Sequence, residues 1–150
     1  MERQPAQASD REAGDTTEAH HLHRPLQHAD LPAVADVRRL LRESLRDWGV
    51  PALADTAVLL TTELVTNALR HTDRGAVLTA TFAPAPAHRL RVEVRDFTSR
   101  HPRLRAPSTR GTSGRGLQLV QSLADAWGVH AEGDGSGKVV WFELDAASPS

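Results

Sequence analysis

The stretch TTELVTNALRHTDRGAVLTATFA, Thr61 to Ala83, changes its periodicity midway. In its first half Thr61, Leu64, Val65 and Ala68 fall on one arc, with Ala57 a turn earlier. At about 100° per residue that arc can face a core, so the segment reads as a helix. In the second half, AVLTATFA over 76–83 alternates residue by residue and reads as a strand. The helix holds an oddity. Glu63, Asn67 and His71 recur at every fourth position and stack along one side, joined by Thr66 and Arg70. A solvated polar face accounts for that spacing in this segment alone, so the rest of the chain has to decide.

Working outward, the helix extends back to about Ala52. Before it, Asp30 is a good N-cap, Pro32 is tolerated in a first turn, and Val34, Val37, Leu41, Leu45 and Trp48 recur at helical steps until Gly49 and Pro51 stop the run. After the strand, PAPAH (84–88) is a rigid turn, and RLRVEVRD (89–96) alternates Leu90, Val92 and Val94 against Arg89, Arg91, Glu93 and Arg95. A loop rich in Pro, Arg, Ser and Thr crosses 97–113. GRGLQLVQSLADAWG then opens a third helix with Leu117, Val120, Leu123, Ala124 and Trp127 as its apolar stripe. Closing strands are expected at 128–132 and 138–144, joined by the flexible EGDGSGK. This order predicts an α+β fold: a two-layer α/β sandwich with a mostly antiparallel sheet covered by helices on one face.

Bulk composition narrows the function classes. With 39% hydrophobic and 25% charged residues, the chain has the make-up of a soluble globular protein. Eighteen basic against nineteen acidic residues give a net charge of −1, which advertises neither a nucleic-acid nor a membrane partner. The lack of cysteine excludes disulfides and thiolate metal sites. No apolar run approaches the ~18 residues of a membrane span, the N-terminus lacks a signal-peptide core, and a cytoplasmic location is expected. Residues 1–28 are short of large apolar side chains and are expected to be disordered, as are 147–150, leaving 29–146 as one domain. His20, His21, His23 and His28 crowd the tail, but without fixed spacing they predict adventitious metal binding rather than a built site.

Two further features bear on chemistry. Asp96 keeps the phase of Leu90, Val92 and Val94, so its carboxylate points toward the buried side and needs a dedicated partner, unless it simply caps the next turn. Gly114 and Gly116 stand just before an amphipathic helix, where backbone N–H groups can approach an anion, although an ordinary loop-to-helix turn has the same look. No Gly-Lys-Ser/Thr occurs there and no parallel βαβ unit surrounds it, so it is neither a Walker loop nor a Rossmann fingerprint. A Glu and Asn pair, an acid in core phase and a glycine-rich helix entry are together the parts of a nucleotide pocket. A carboxamide can hold magnesium, an acid can read a base amine, and amides can cradle phosphates.

These residues resemble the GHKL ATPases with the Bergerat nucleotide fold, and specifically the small anti-sigma-factor serine kinases. Glu63-Leu-Val-Thr-Asn67-Ala68-Leu-Arg-His71 matches that family's N-box, Glu-x-x-x-Asn-Ala-x-x-His. Asp96-Phe-Thr98-Ser-Arg-His-Pro102 follows its first glycine box, with Thr for Ser, and Gly114-Arg115-Gly116-Leu117-Gln-Leu119-Val120 follows its second. Gly137-Lys138-Val139-Val140-Trp141-Phe142 resembles the family's ending. The resemblance covers about 30–146 and implies definite expectations. Asn67 would coordinate Mg²⁺, Asp96 would accept from the adenine amine of ATP, and Glu63 would act as general base. Gly114, Arg115, Gly116 and Leu117 would meet the phosphates. Thr98 and Pro102 would belong to the nucleotide site as parts of a short lid over 97–113, and His71 would shape the pocket rather than carry phosphate. Val139 stands where relatives carry an adenine-binding threonine.

The function so implied is an ATP-dependent protein serine/threonine kinase in a partner switch. It would phosphorylate a STAS-type anti-anti-sigma protein and bind a sigma factor, with no direct nucleic acid and no membrane partner. Two alternatives remain at this level. One is a non-catalytic, nucleotide-gated regulator that sequesters a sigma factor or other partner, motivated by Val139. The other is the detached ATPase half of a histidine sensor kinase, which the short lid disfavours. The apolar stripe of the first helix either packs on its own sheet or joins a homodimer.

Overall fold

The computed structural model describes residues 19–27, 31–70, 74–97, 112–131 and 137–146, with the side chains of Leu31 and of 112–116 outside that description. Helix α1 (Leu31–Asp47) ends as its sequence dictates. Gly49 takes φ 84, its N–H donates to the Arg46 carbonyl at 3.0 Å and the Val50 N–H to that of Leu45 at 2.9 Å. This is a Schellman cap, in which glycine supplies the left-handed residue at no steric cost. A short 3-10 turn, Pro51–Leu53, leads into α2 (Ala54–Arg70). The strands β2 (Ala76–Ala83) and β3 (Arg89–Asp96) follow, with the bounds their alternation predicts. Between them the PAPAH turn contains a cis peptide before Pro86, and His88 has φ 49.

Helix α3 (Thr112–Leu123), β4 (Ala126–Ala131) and β5 (Lys138–Asp145) complete the domain. The third helix was expected to run on through Trp127. Instead the Ala124 N–H closes the last helical turn on the Val120 carbonyl, and the Asp125 N–H already donates to Glu143 in the sheet. Trp127 therefore lies in β4, opposite Phe142. Leu123, expected in the buried stripe, is exposed. An apolar residue at either period gives the same stripe, which is why the pattern could not separate helix end from strand start.

Among the described residues the sheet is antiparallel throughout, in the order β1-β2-β3-β5-β4, and three helices cover one face. The two-layer α+β sandwich is thus as expected. Leu78 and Ala80 on β2, Leu90, Val92 and Val94 on β3, and Phe142 and Leu144 on β5 project into the core. There they meet Val37, Leu41 and Leu45 of α1, Leu60, Leu64 and Val65 of α2, and Val120 of α3. No helix among the described residues is long and apolar enough to cross a membrane.

One element contradicts the sequence reading. Residues His20–Leu26, placed in a disordered tail running to residue 28, form strand β1, paired antiparallel with β2 from His20↔Phe82 to Leu26↔Ala76. Leu26 is buried, His20 stacks on Trp48 with ring centroids 5.6 Å apart, and Arg24 bonds to Asp36 of α1. Only two large aliphatic residues sit in this segment, too few for a composition argument to register. Residues 1–18 and 28 of that tail, and 147–150 at the C-terminal side, lie outside the described residues.

Within α2, Thr61 is fully buried, and its Oγ1 finds no hydrogen-bond partner among the described residues. Replacing a buried, unsatisfied hydroxyl by a methyl of similar shape removes a desolvation cost. Thr61→Val should therefore raise stability by about 1 kcal/mol, read as a higher midpoint in urea denaturation. A fall of that size would show that the hydroxyl is satisfied in the folded protein.

Candidate functional site

The register of the sheet sets Asp96 in a row of cross-strand partners at one of its ends. Ala76, Asp96, Lys138 and Ala131 are successive partners across β2, β3, β5 and β4. Asp96 is 2% exposed and projects to the helix side, as its phase predicts. Its dedicated partner is Lys138, whose Nζ donates to Asp96 Oδ2 at 2.6 Å across the strand pair. Sequence reasoning gave Lys138 no role, yet one signal was present: counting back from Phe142 in strand alternation puts Lys138, not Val139, on the Asp96 face.

Val139 changes meaning accordingly. It pairs with Arg95 and His130 and lies on the face opposite Asp96. The threonine that Val139 replaces in the resembled family would here point away from Asp96, so this departure cannot weaken contacts on the Asp96 side.

Gly137 holds this end of the sheet together. Its φ is 154, and a Cβ there would stand 2.0 Å from the Asp96 carbonyl oxygen, a backbone atom with little room to give. Only glycine lets β5 start so close to the end of β3. Gly137→Ala should cost about 1–3 kcal/mol and loosen the Asp96–Lys138 pair. A thermal melt indistinguishable from the parent protein would refute that reading.

Helix α2 carries Glu63 and Asn67 one turn apart and packs on β3, the strand that ends in Asp96. Both are half-buried, beside Leu64, Val65 and Ala68, which are buried. Arg70 ends the helix, and β2 begins at Ala76, the register partner of Asp96. Arg74, in that connection, donates from Nη1 to the Phe97 carbonyl at 3.4 Å. Helix α3 packs against α2, with Val120 fully buried and Leu117 half-buried. The helix begins at Thr112, so Gly114 and Arg115 lie in its first turn and Gly116 just beyond, rather than all preceding it. A first turn still carries amides without intrahelical acceptors. His71, Thr98 and Pro102 lie outside the described residues.

The opposite face of the sheet is polar and self-neutralising. Arg89 bonds to Asp145 at 2.6 Å and to Glu143 at 2.7 Å, and Arg91 bonds to Glu93 and Glu143, each at 2.8 Å. Burial works against the Arg91 charge, but Glu93 and Glu143 outweigh it and hold the guanidinium above its ordinary value. The same guanidinium lies 4.1 Å over the Trp141 ring, a cation–π contact. Among the described residues no cluster of three or more His, Asp or Glu could hold a metal ion.

Comparison with known proteins agrees with this architecture. A solved structure described as the SiaB-SiaC complex from Pseudomonas aeruginosa superposes with a TM-score of 0.56, covering 92% of this chain and 96% of that one at 12% identity. At that identity the similarity establishes a common fold. A histidine kinase domain from the Erythrobacter litoralis EL346 blue-light activated histidine kinase aligns at a TM-score of 0.49 and 23% identity, over 77% of this chain and 60% of that one. No curated protein matches the sequence significantly. Residues 28–144 match the family described as the histidine kinase-like ATPase domain. That match spans most of the chain, which therefore belongs to the histidine kinase-like ATPase domain family, within the GHKL superfamily.

Proposed function

We propose that the chain is an ATP-dependent protein serine/threonine kinase of the anti-sigma-factor type, acting on a STAS-type anti-anti-sigma protein. The observation that carries the reading is Asp96, a carboxylate buried on β3, the strand on which α2 packs with its Glu63 and Asn67 a turn apart. Membership of an ATPase-domain family supports the nucleotide. The fold shared with a protein found in a SiaB-SiaC complex supports a protein partner.

In this reading Asp96 accepts a hydrogen bond from the adenine amine, and the start of α3 meets the phosphates over Gly114, Arg115, Gly116 and Leu117, with the amides of Gly114 and Arg115 in its first turn. Glu63 and Asn67 offer side-chain oxygens from successive turns, a donor set that suits a hard cation, so Asn67 would hold Mg²⁺. When bound, the ion would neutralise phosphate charge. Glu63 then accepts the proton of the attacking serine hydroxyl, whose oxygen bonds to the γ-phosphorus as the bond to ADP breaks. His71, Thr98 and Pro102 complete the site by resemblance alone.

The non-catalytic alternative drew its support from Val139, and the sheet register removes that support by turning Val139 away from Asp96. A sigma factor as the second partner, a homodimer and a cytoplasmic location complete the proposal. The experiment is transfer of labelled phosphate from Mg-ATP to purified STAS-domain proteins encoded beside this chain, with mapping of the labelled residue. Label on a serine or threonine is the expected result. ATP binding without transfer to any of them would favour a regulator that works without turnover.

A further inference from the structure

The sheet register delivers Lys138 directly onto the buried Asp96. Neutralising Asp96 would by itself explain a lysine at this place. The geometry says more. The Asp96 side chain is 3% exposed and that of Lys138 26%, so the lysine is the more accessible partner of the pair. An ammonium carries three N–H donors and a carboxylate about four acceptor sites, so their mutual bond leaves each with further capacity. The pair thus offers an acceptor and a donor side by side, with oxygen and nitrogen 2.6 Å apart. A purine that carries an exocyclic amine offers the complement: a donor, with an acceptor ring nitrogen beside it. Gly137, pressed against the Asp96 carbonyl, holds the start of β5 so that this spacing is kept.

We propose that Lys138 is a specificity-determining residue that reads the base together with Asp96. Asp96 accepts from the exocyclic amine, and Lys138 donates to the ring nitrogen next to it. The inference rests on the nucleotide reading above and adds a direct side-chain contact to the ring.

Binding of Mg-ATP, 1-deaza-ATP and 7-deaza-ATP to the full chain, measured by calorimetry, tests it. Each analogue replaces one of the two ring nitrogens flanking the amine by a C–H. One of them should bind about tenfold more weakly than ATP or worse, the loss of a hydrogen bond to a charged donor. The Lys138→Met protein should bind that analogue and ATP alike, and Lys138→Arg should retain discrimination. Because Lys138→Met strands a buried carboxylate, the double variant Asp96→Asn/Lys138→Met, which removes both charges, is measured beside it and should also be blind to the substitution. If the parent protein binds ATP and both analogues equally, or if Lys138→Met still discriminates, Lys138 only neutralises Asp96 and the inference is overturned. If the parent protein binds no adenine nucleotide, the nucleotide reading falls as well.

Discussion

Glu63→Gln should lower phosphoryl transfer to the proposed STAS partner by about 10²–10⁴-fold, the usual contribution of a positioned general base. The carboxamide keeps the size and hydrogen-bonding reach of the carboxylate but cannot take a proton at neutral pH. Glu63 is half-buried on α2, one turn before Asn67, so the change should leave the helix and its buried face intact. ATP affinity should therefore move by no more than a few-fold while the rate collapses. Initial rates and nucleotide titrations on the same preparation separate the two quantities. Transfer within a few-fold of the parent rate would remove Glu63 from the chemistry.

Deleting residues 1–27 should destabilise the domain by about 3–5 kcal/mol, because it removes β1 rather than a passive tail. Leu26 is 7% exposed and Leu22 packs against the same core. Full burial of one leucine contributes roughly 1.5–3 kcal/mol, and the ladder to β2, the stacking of His20 on Trp48 and the Arg24–Asp36 pair are lost with it. For a domain of this size the expected fall in melting temperature is on the order of 15 °C. A cut at residue 18, which keeps β1 whole, is the matched control. Equal melting of the two truncated proteins would mean that β1 contributes nothing to the fold.

Much of this architecture was legible from local pattern. The stop at Gly49, the change of period after Arg70, and the alternation of β2 and β3 rest on contacts within a few residues, and so does the burial of Asp96. What was missed depends on partners distant in sequence. β1 puts His20, Leu22, Arg24 and Leu26 on its inner side, a mixed set that becomes a strand only once β2 and α1 receive it. Trp127 satisfied a helical stripe and a strand equally well. The role of Lys138 depends on which residue of β5 faces Asp96, a matter of cross-strand register. The spacing of Glu63 and Asn67 was visible from the start, whereas the packing of their helix on β3 is a tertiary contact that no local pattern announces.

Strand β1 has a further consequence at its outer side, where it forms one border of the sheet among the described residues. A border strand exposes backbone donors and acceptors to which a stray chain could anneal. Pro25 lacks an N–H to offer, and Arg24 sets a charge beside it, so HHLHRPL is poorly suited to template another strand. The segment that widens the sheet also discourages its polymerisation.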